Sequence, residues 1–249
     1  DHETLSYGFS EDVSVRASNI HVQYKEDGEC RFPVSVTCKI DFDGKFVPVT
    51  IIETIGEGYI YSVLAAISCG SKAGINAVDM GSALSSFIPP PGRLRLLHGK
   101  NNSLIIDDSY NASPDAVALA LSALRDLETN GRKIAVIGDM LELGDMTTQA
   151  HQEIGEILSK DFSHVYLVGK RAAYIIDKTK GGLRQAQIHY YDTADEAGDI
   201  LSKKIKPCDI ILVKGSQGIR LEKIVKKILS NDEDAERVLV RQERQWKNR

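Results

Sequence analysis

Between residues 20 and 52, apolar and polar residues alternate on both sides of Phe42-Asp43-Gly44-Lys45. A period of two turns one side chain inward and the next outward, as a half-buried strand requires, and Asp-Gly supplies the positive-φ turn of a tight hairpin. The first third is therefore predicted to be strand-rich. After Gly56 the period lengthens: "YIYSVLAAISCG" and "INAVDMGSALSSF" repeat apolar residues at helical spacing and close at or near glycine, which predicts two helices. "IPPPGRL" stops that pattern at Ile88, because consecutive prolines lack helix donors and bias preceding residues toward extended backbone. A domain boundary is expected here, with residues 1–91 and 92–249 on its two sides.

Beyond the prolines the periods alternate. Strands over 103–106, 133–137, 164–168, 188–190 and 209–213 interleave with helices over 114–127, 148–158, 172–178, 194–204 and 221–229. That order predicts an α/β fold whose second part is a doubly wound, mostly parallel sheet. Ligands of such sheets bind beyond the carboxyl ends of the strands, which directs attention to residues 107–115, 138–144 and 214–218. The charged stretch after Asn231 is expected to be a solvated end, with Trp246 its one docking residue.

Composition narrows the function classes. At 249 residues, with 42% hydrophobic and 27% charged residues, the chain can bury a core in each of two domains. A net charge of -4 gives no field to hold a polyanion, so nucleic acid is excluded as a partner. No apolar run reaches the roughly 20 residues of a membrane helix, and the first residues lack the basic and apolar segments of an export signal. The sequence opens without Met in polar residues, which reads as part of something longer. Cys30, Cys38, Cys69 and Cys208 have no CxxC spacing and are expected to be reduced, as in a cytoplasmic protein without structural zinc.

The segment "IIDDSYNASPDA" carries the strongest candidate chemistry. Ser113 can cap the following helix, Pro114 suits its first position, and Asp115 complements its dipole. Asp107 and Asp108 have no such structural explanation, and a carboxylate at a strand end can accept hydrogen bonds from a ribose. Arg93, in "PPGR", has a guanidinium that matches phosphate or stacks on a ring. Lys214, Gly215, Ser216 and Gly218 follow a strand, where free amides and a lysine can hold an anion. Asp139, Glu142 and His151 in "IGDMLELGDMTTQAH" offer metal-type ligands whose convergence sequence cannot show.

"PPGRLRLLHG", "IIDDSYNASPDA", "IAVIGDMLELGDMTTQAH" and "ILVKGSQGIRLEKIV", in this order, resemble the Mur ligase family. Within it they resemble the branch that joins D-alanyl-D-alanine to UDP-N-acetylmuramoyl-tripeptide. The resemblance implies a Rossmann-like C-terminal domain at 92–249, preceded at 1–91 by the second half of a central ATPase domain. It implies ATP and Mg2+ as cofactors, an acyl phosphate intermediate, and a role in peptidoglycan synthesis. Carried over residue by residue, Arg93, Asp107, Asp108, Asn111 and Ser113 would face ATP, and Lys214 and Ser216 the incoming D-Ala-D-Ala.

The sequence departs from the family where Gly58, Tyr59 and Ser62 replace an expected His, Asn and Asn. The family's UDP-sugar domain, P-loop and magnesium ligands would lie before Asp1, so the isolated chain is expected to be inactive. A non-catalytic Rossmann-like binding module, a ligase adding a different amino acid, and a folylpolyglutamate synthase relative are the alternatives. A dehydrogenase falls behind, since no GxGxxG follows any predicted strand.

Overall fold

The computed structural model describes residues 4–158, 161–179, 187–231 and 234–247. The chain divides into two compact units, one of Asp1–Lys25 and Pro33–Pro89 and one of Glu26–Phe32 and Pro90–Arg249.

The first unit is a four-stranded sheet with helices on it. Strands β1 (Tyr7–Gly8), β2 (Val15–Asp27), β3 (Cys30–Phe42) and β4 (Lys45–Ile52) lie in chain order. The predicted hairpin is β3–β4, antiparallel, with Phe42 paired to Lys45 around Asp43 (φ 48) and Gly44 (φ 69). Along β4, Val47, Val49 and Ile51 are buried and their neighbours exposed. Helix α1 (Gly58–Lys72) answers with Ile60, Val63, Leu64 and Ile67 on one face, joined by Met80 of α2 (Ala77–Ser85). Burying each of these aliphatic side chains is worth about 1.5–3 kcal/mol. Tyr59 packs on Phe87 at 5.6 Å, so this departure from the family pattern serves as a packing residue.

The second unit is a six-stranded sheet in the order β5-β6-β10-β7-β8-β9. Its strands are β5 (Arg95–Gly99), β6 (Ser103–Asp108), β7 (Lys133–Gly138), β8 (His164–Val168), β9 (Ile188–Tyr191) and β10 (Ile210–Lys214). All neighbours are parallel except β5, an antiparallel edge strand that the periodicity did not announce. Helices α3 (Pro114–Asp126), α4 (Thr147–Ile157), α5 (Ala194–Ser202) and α6 (Glu222–Ile228) supply the connections. The central strands are buried on both faces, which is why they read as unbroken apolar runs.

The helix expected over 172–178 is present and is a 3-10 helix, with Tyr174 and Thr179 amides bonded three residues back. Two expectations are corrected here. Cys30 and Cys208 form a disulfide, leaving Cys38 and Cys69 free, so the expectation of four reduced thiols fails. The pair is separated by 178 residues and brought together by the fold of the second unit, which no local spacing reveals. The stretch after Asn231 is not a solvated end: α7 (Ala235–Val238) puts Ala235, Val238 and Leu239 into the main core, and α8 (Arg244–Lys247) follows.

Candidate functional site

The carboxyl ends of β6 and β10 lie side by side, and the register pairs Asp108 with Lys214. Parallel neighbours in that register aim both side chains to the same face, so an ion pair follows from the backbone alone. Lys214 Nζ lies 2.5 Å from Asp108 Oδ2 and donates also to the Asn111 carbonyl at 3.1 Å. Both residues are buried, at 3% and 7% exposure. Burial raises the Asp108 carboxyl above its ordinary range, opposed by the Lys214 cation and the Leu94 amide.

The two aspartates grip the linker. Gly92 N donates to Asp107 Oδ2 at 3.1 Å, and Leu94 N donates to Asp108 Oδ1 at 3.2 Å. Asp107 is wholly buried and also accepts the Ser109 amide at 3.2 Å. Burial lifts its carboxyl to about 6, with these amide donors pulling the other way. Gly92 has φ 71, and a Cβ there would come within 3.0 Å of the Tyr110 nitrogen, so glycine is needed twice over. Between the two gripped amides sits Arg93, whose guanidinium lies 4.3 Å from the Tyr110 ring centre.

Seven residues of the candidate nucleotide and dipeptide site thus sort into two groups. Arg93, Asn111 and Ser113 are exposed. Asp107, Asp108, Lys214 and Ser216 are buried, their polar atoms engaged by the protein. Ser216 Oγ accepts the Leu141 amide at 2.8 Å, while its own amide donates to the Asp139 carbonyl at 2.9 Å. Ser113 caps α3 by accepting from Ala116 N at 3.4 Å, with Pro114 in the first turn. Tyr110, 37% exposed, was not singled out by sequence, although its place between Asp108 and Asn111 was the available signal. Arg93, Tyr110, Gln217, Arg241 and Trp246 border an open pocket of about 890 Å³.

The "GDMLELG" segment is held from within. Asp139 Oδ1 accepts the amides of Arg171 at 2.9 Å and Ala172 at 2.7 Å. His151 Nε2 accepts the Met140 amide at 3.0 Å, so the ring proton is on Nδ1, which donates to the Thr147 carbonyl at 2.7 Å. Both ring nitrogens are used, and burial lowers the His151 pKa. Glu142 is exposed in left-handed backbone (φ 65). Among the described residues no cluster of three or more His, Cys, Asp or Glu could hold a metal, and no described helix is long and apolar enough to cross a membrane.

Comparison with known proteins gives a consistent answer. Residues 92–217 match the family model described as Mur ligase, glutamate ligase domain. A UDP-N-acetylmuramoyl-tripeptide--D-alanyl-D-alanine ligase of Bacillus subtilis is 32% identical over 187 residues, 75% of this chain and 40% of the relative. A MurF crystal structure from Acinetobacter baumannii superposes with TM-score 0.73 at 26% identity, over 89% of this chain and 45% of that one. A MurF ligase from Thermotoga maritima in complex with ADP superposes with TM-score 0.72 at 23% identity, over 94% of this chain and 49% of that one. The chain thus matches less than half the length of each.

Proposed function

The chain belongs to the Mur ligase family, and from that premise we propose that it is the C-terminal part of an ATP-dependent ligase joining UDP-N-acetylmuramoyl-tripeptide to D-Ala-D-Ala. Residues 1–91 are then the later part of a central ATPase domain, and 92–249 the domain that closes over the nucleotide. The reaction is acyl transfer in two steps. The tripeptide carboxylate attacks the γ-phosphorus of ATP, releasing ADP and leaving an acyl phosphate. The dipeptide amine then attacks the acyl carbon, and phosphate departs, an easier leaving group than oxide. The pathway is peptidoglycan synthesis, and the compartment we assign is the cytoplasm.

The observation that carries this reading is the exposed group of Arg93, Tyr110, Asn111 and Ser113 at the carboxyl edge of a parallel sheet, on a buried frame of Asp107, Asp108 and Lys214. Arg93 brings a guanidinium fork suited to phosphate, and the start of α3 brings a favourable dipole. In this reading Asp107 and Asp108 act by fixing the linker that carries Arg93, and Lys214 and Ser216 shape the floor beneath the dipeptide. Substrates and P-loop contacts from the rest of the ligase complete the site.

The reading is tested by titrating the 249-residue chain with ADP and with D-Ala-D-Ala, followed by calorimetry and by amide shifts in NMR. Weak, millimolar ADP binding with shifts at Arg93, Tyr110, Asn111 and Ser113 is expected. A folded chain showing neither heat nor shifts for either ligand would overturn it.

A further inference from the structure

After α6 the chain turns back across the carboxyl edge of the sheet and buries a cation there. Arg241 is 6% exposed and has left-handed backbone (φ 58). Its guanidinium donates to the Ser109 carbonyl at 3.3 Å, to the Tyr110 carbonyl, and to Glu222 Oε2 at 2.9 Å. Glu222, 2% exposed, also accepts from Arg220 at 2.5 Å, and Arg220 in turn donates to the Trp246 carbonyl at 3.0 Å. Taking a guanidinium out of water costs several kcal/mol unless it is paired and hydrogen-bonded, so a passive tail would not carry one inward.

The partners chosen are informative. Three successive carbonyls, of Ser109, Tyr110 and Asn111, are each held by a buried cation: the first two by Arg241, the third by Lys214. The rigid fork of an arginine fixes the directions of two acceptors at once, which a lysine does not. The same stretch is held from the linker side, where Tyr110 N donates to the Gly92 carbonyl at 3.1 Å. Val240, next to Arg241, packs so closely on Gly92 that a Cβ there would lie 2.9 Å from it. Arg241 also lies 5.5 Å from the Tyr110 ring centre and 5.9 Å from that of Trp246. Linker, motif and tail therefore converge on one short loop.

We propose that Arg241 is a positioning residue for the site: it fixes the Ser109–Asn111 backbone so that Tyr110, the Arg93 stacked on it, and the Asn111 side chain form a preorganised surface for nucleotide. The assignment of nucleotide as the ligand rests on the function proposed above, whereas the ordering of the loop by Arg241 does not. In this proposal Arg241 acts through the backbone carbonyls it holds.

The test compares the 249-residue chain with Arg241→Ala, Arg241→Lys and, as a control on an exposed tail residue, Arg237→Ala. Hydrogen exchange is followed in peptides covering residues 107–113 and in those covering β7 and β8, and ADP affinity is measured by calorimetry. In Arg241→Ala, exchange over 107–113 should rise at least about tenfold while β7 and β8 stay protected, and the ADP Kd should rise about tenfold. Millimolar guanidinium should restore both, a rescue that a merely structural defect would not show. Arg241→Lys keeps the charge beside Glu222, so it preserves the fold if alanine does not, and should loosen the loop to an intermediate degree. Unchanged exchange over 107–113 in both variants, or loosening spread equally over the sheet, would overturn the proposal. If the parent chain fails to bind ADP, the nucleotide reading falls while the exchange result still decides the role of Arg241.

Discussion

Lys214 and Asp108 sit directly opposite each other at the ends of adjacent parallel strands and form a buried ion pair at 2.5 Å. Their side chains retain 4% and 10% exposure, so little solvent screens the pair. Removing one member leaves the other charged and buried. Lys214→Met should therefore cost about 3–5 kcal/mol in urea unfolding, whereas Asp108→Asn with Lys214→Met should cost clearly less than the sum of the single changes. Strict additivity in this double-mutant cycle would show that the pair does not couple.

Asp107 carries a pH signature. Its carboxyl rises from 3.8 to about 6 in the folded chain, so the folded state holds the proton more tightly than the unfolded one. The stabilisation from that proton is complete below the unfolded value and is lost as pH rises through the folded one. Compared with Asp107→Asn, the parent should lose about 2–3 kcal/mol of stability between about pH 4 and about pH 7, at 1.36 kcal/mol per unit. A stability difference that stays flat across this range would contradict the assignment.

How much of this was legible in sequence depended on how local the physics is. The hairpin at Asp43-Gly44 and the sheet strands were readable because turn chemistry and apolar runs are properties of neighbouring residues. The cap at Ser113 was readable for the same reason. Strand β5 escaped because it is short and Leu96 and Leu97 are adjacent rather than alternating, although Asn101 and Asn102, at φ 55 and 51, form its turn to β6. The partners of Asp107 and Asp108 were hidden because a backbone amide 14 or 15 residues away leaves no mark on composition. The burial of Arg241 is not legible because charged residues in a charged tail are usually solvated, and its partner Glu222 lies 19 residues earlier, at the start of α6.

His151 should make the second unit sensitive to mild acid. Its pKa is lowered by burial, and the neutral ring is the form that accepts the Met140 amide. For a histidine with a depressed folded value, the stabilisation is fully present above the unfolded value of 6.5 and is lost as pH falls below it. The parent should therefore lose stability as pH falls through and below the unfolded value of 6.5, relative to His151→Gln, which has no titrating ring. Melting temperatures across that range decide it, and parallel curves for the two proteins would count against a buried neutral ring.

The Cys30–Cys208 disulfide and the assignment to the cytoplasm pull in opposite directions, since such bonds are rare in reducing compartments. Both hold only if the second unit keeps its fold with the thiols reduced. The bonds around Cys208 favour that outcome: its amide donates to the Asn102 carbonyl at 2.9 Å, and Asp209 beside it is paired with Arg132 at 2.6 Å. These interactions fix the turn without the sulfur bridge. Closing 178 residues would nonetheless add up to about 5 kcal/mol by restricting the unfolded chain. Without reductant, the parent should titrate two thiols after denaturation and melt above Cys30→Ser; with dithiothreitol it should titrate four and melt alongside the variant. Four reactive thiols in the absence of reductant would remove the disulfide from the account. Unfolding of the parent by dithiothreitol alone would remove the cytoplasm.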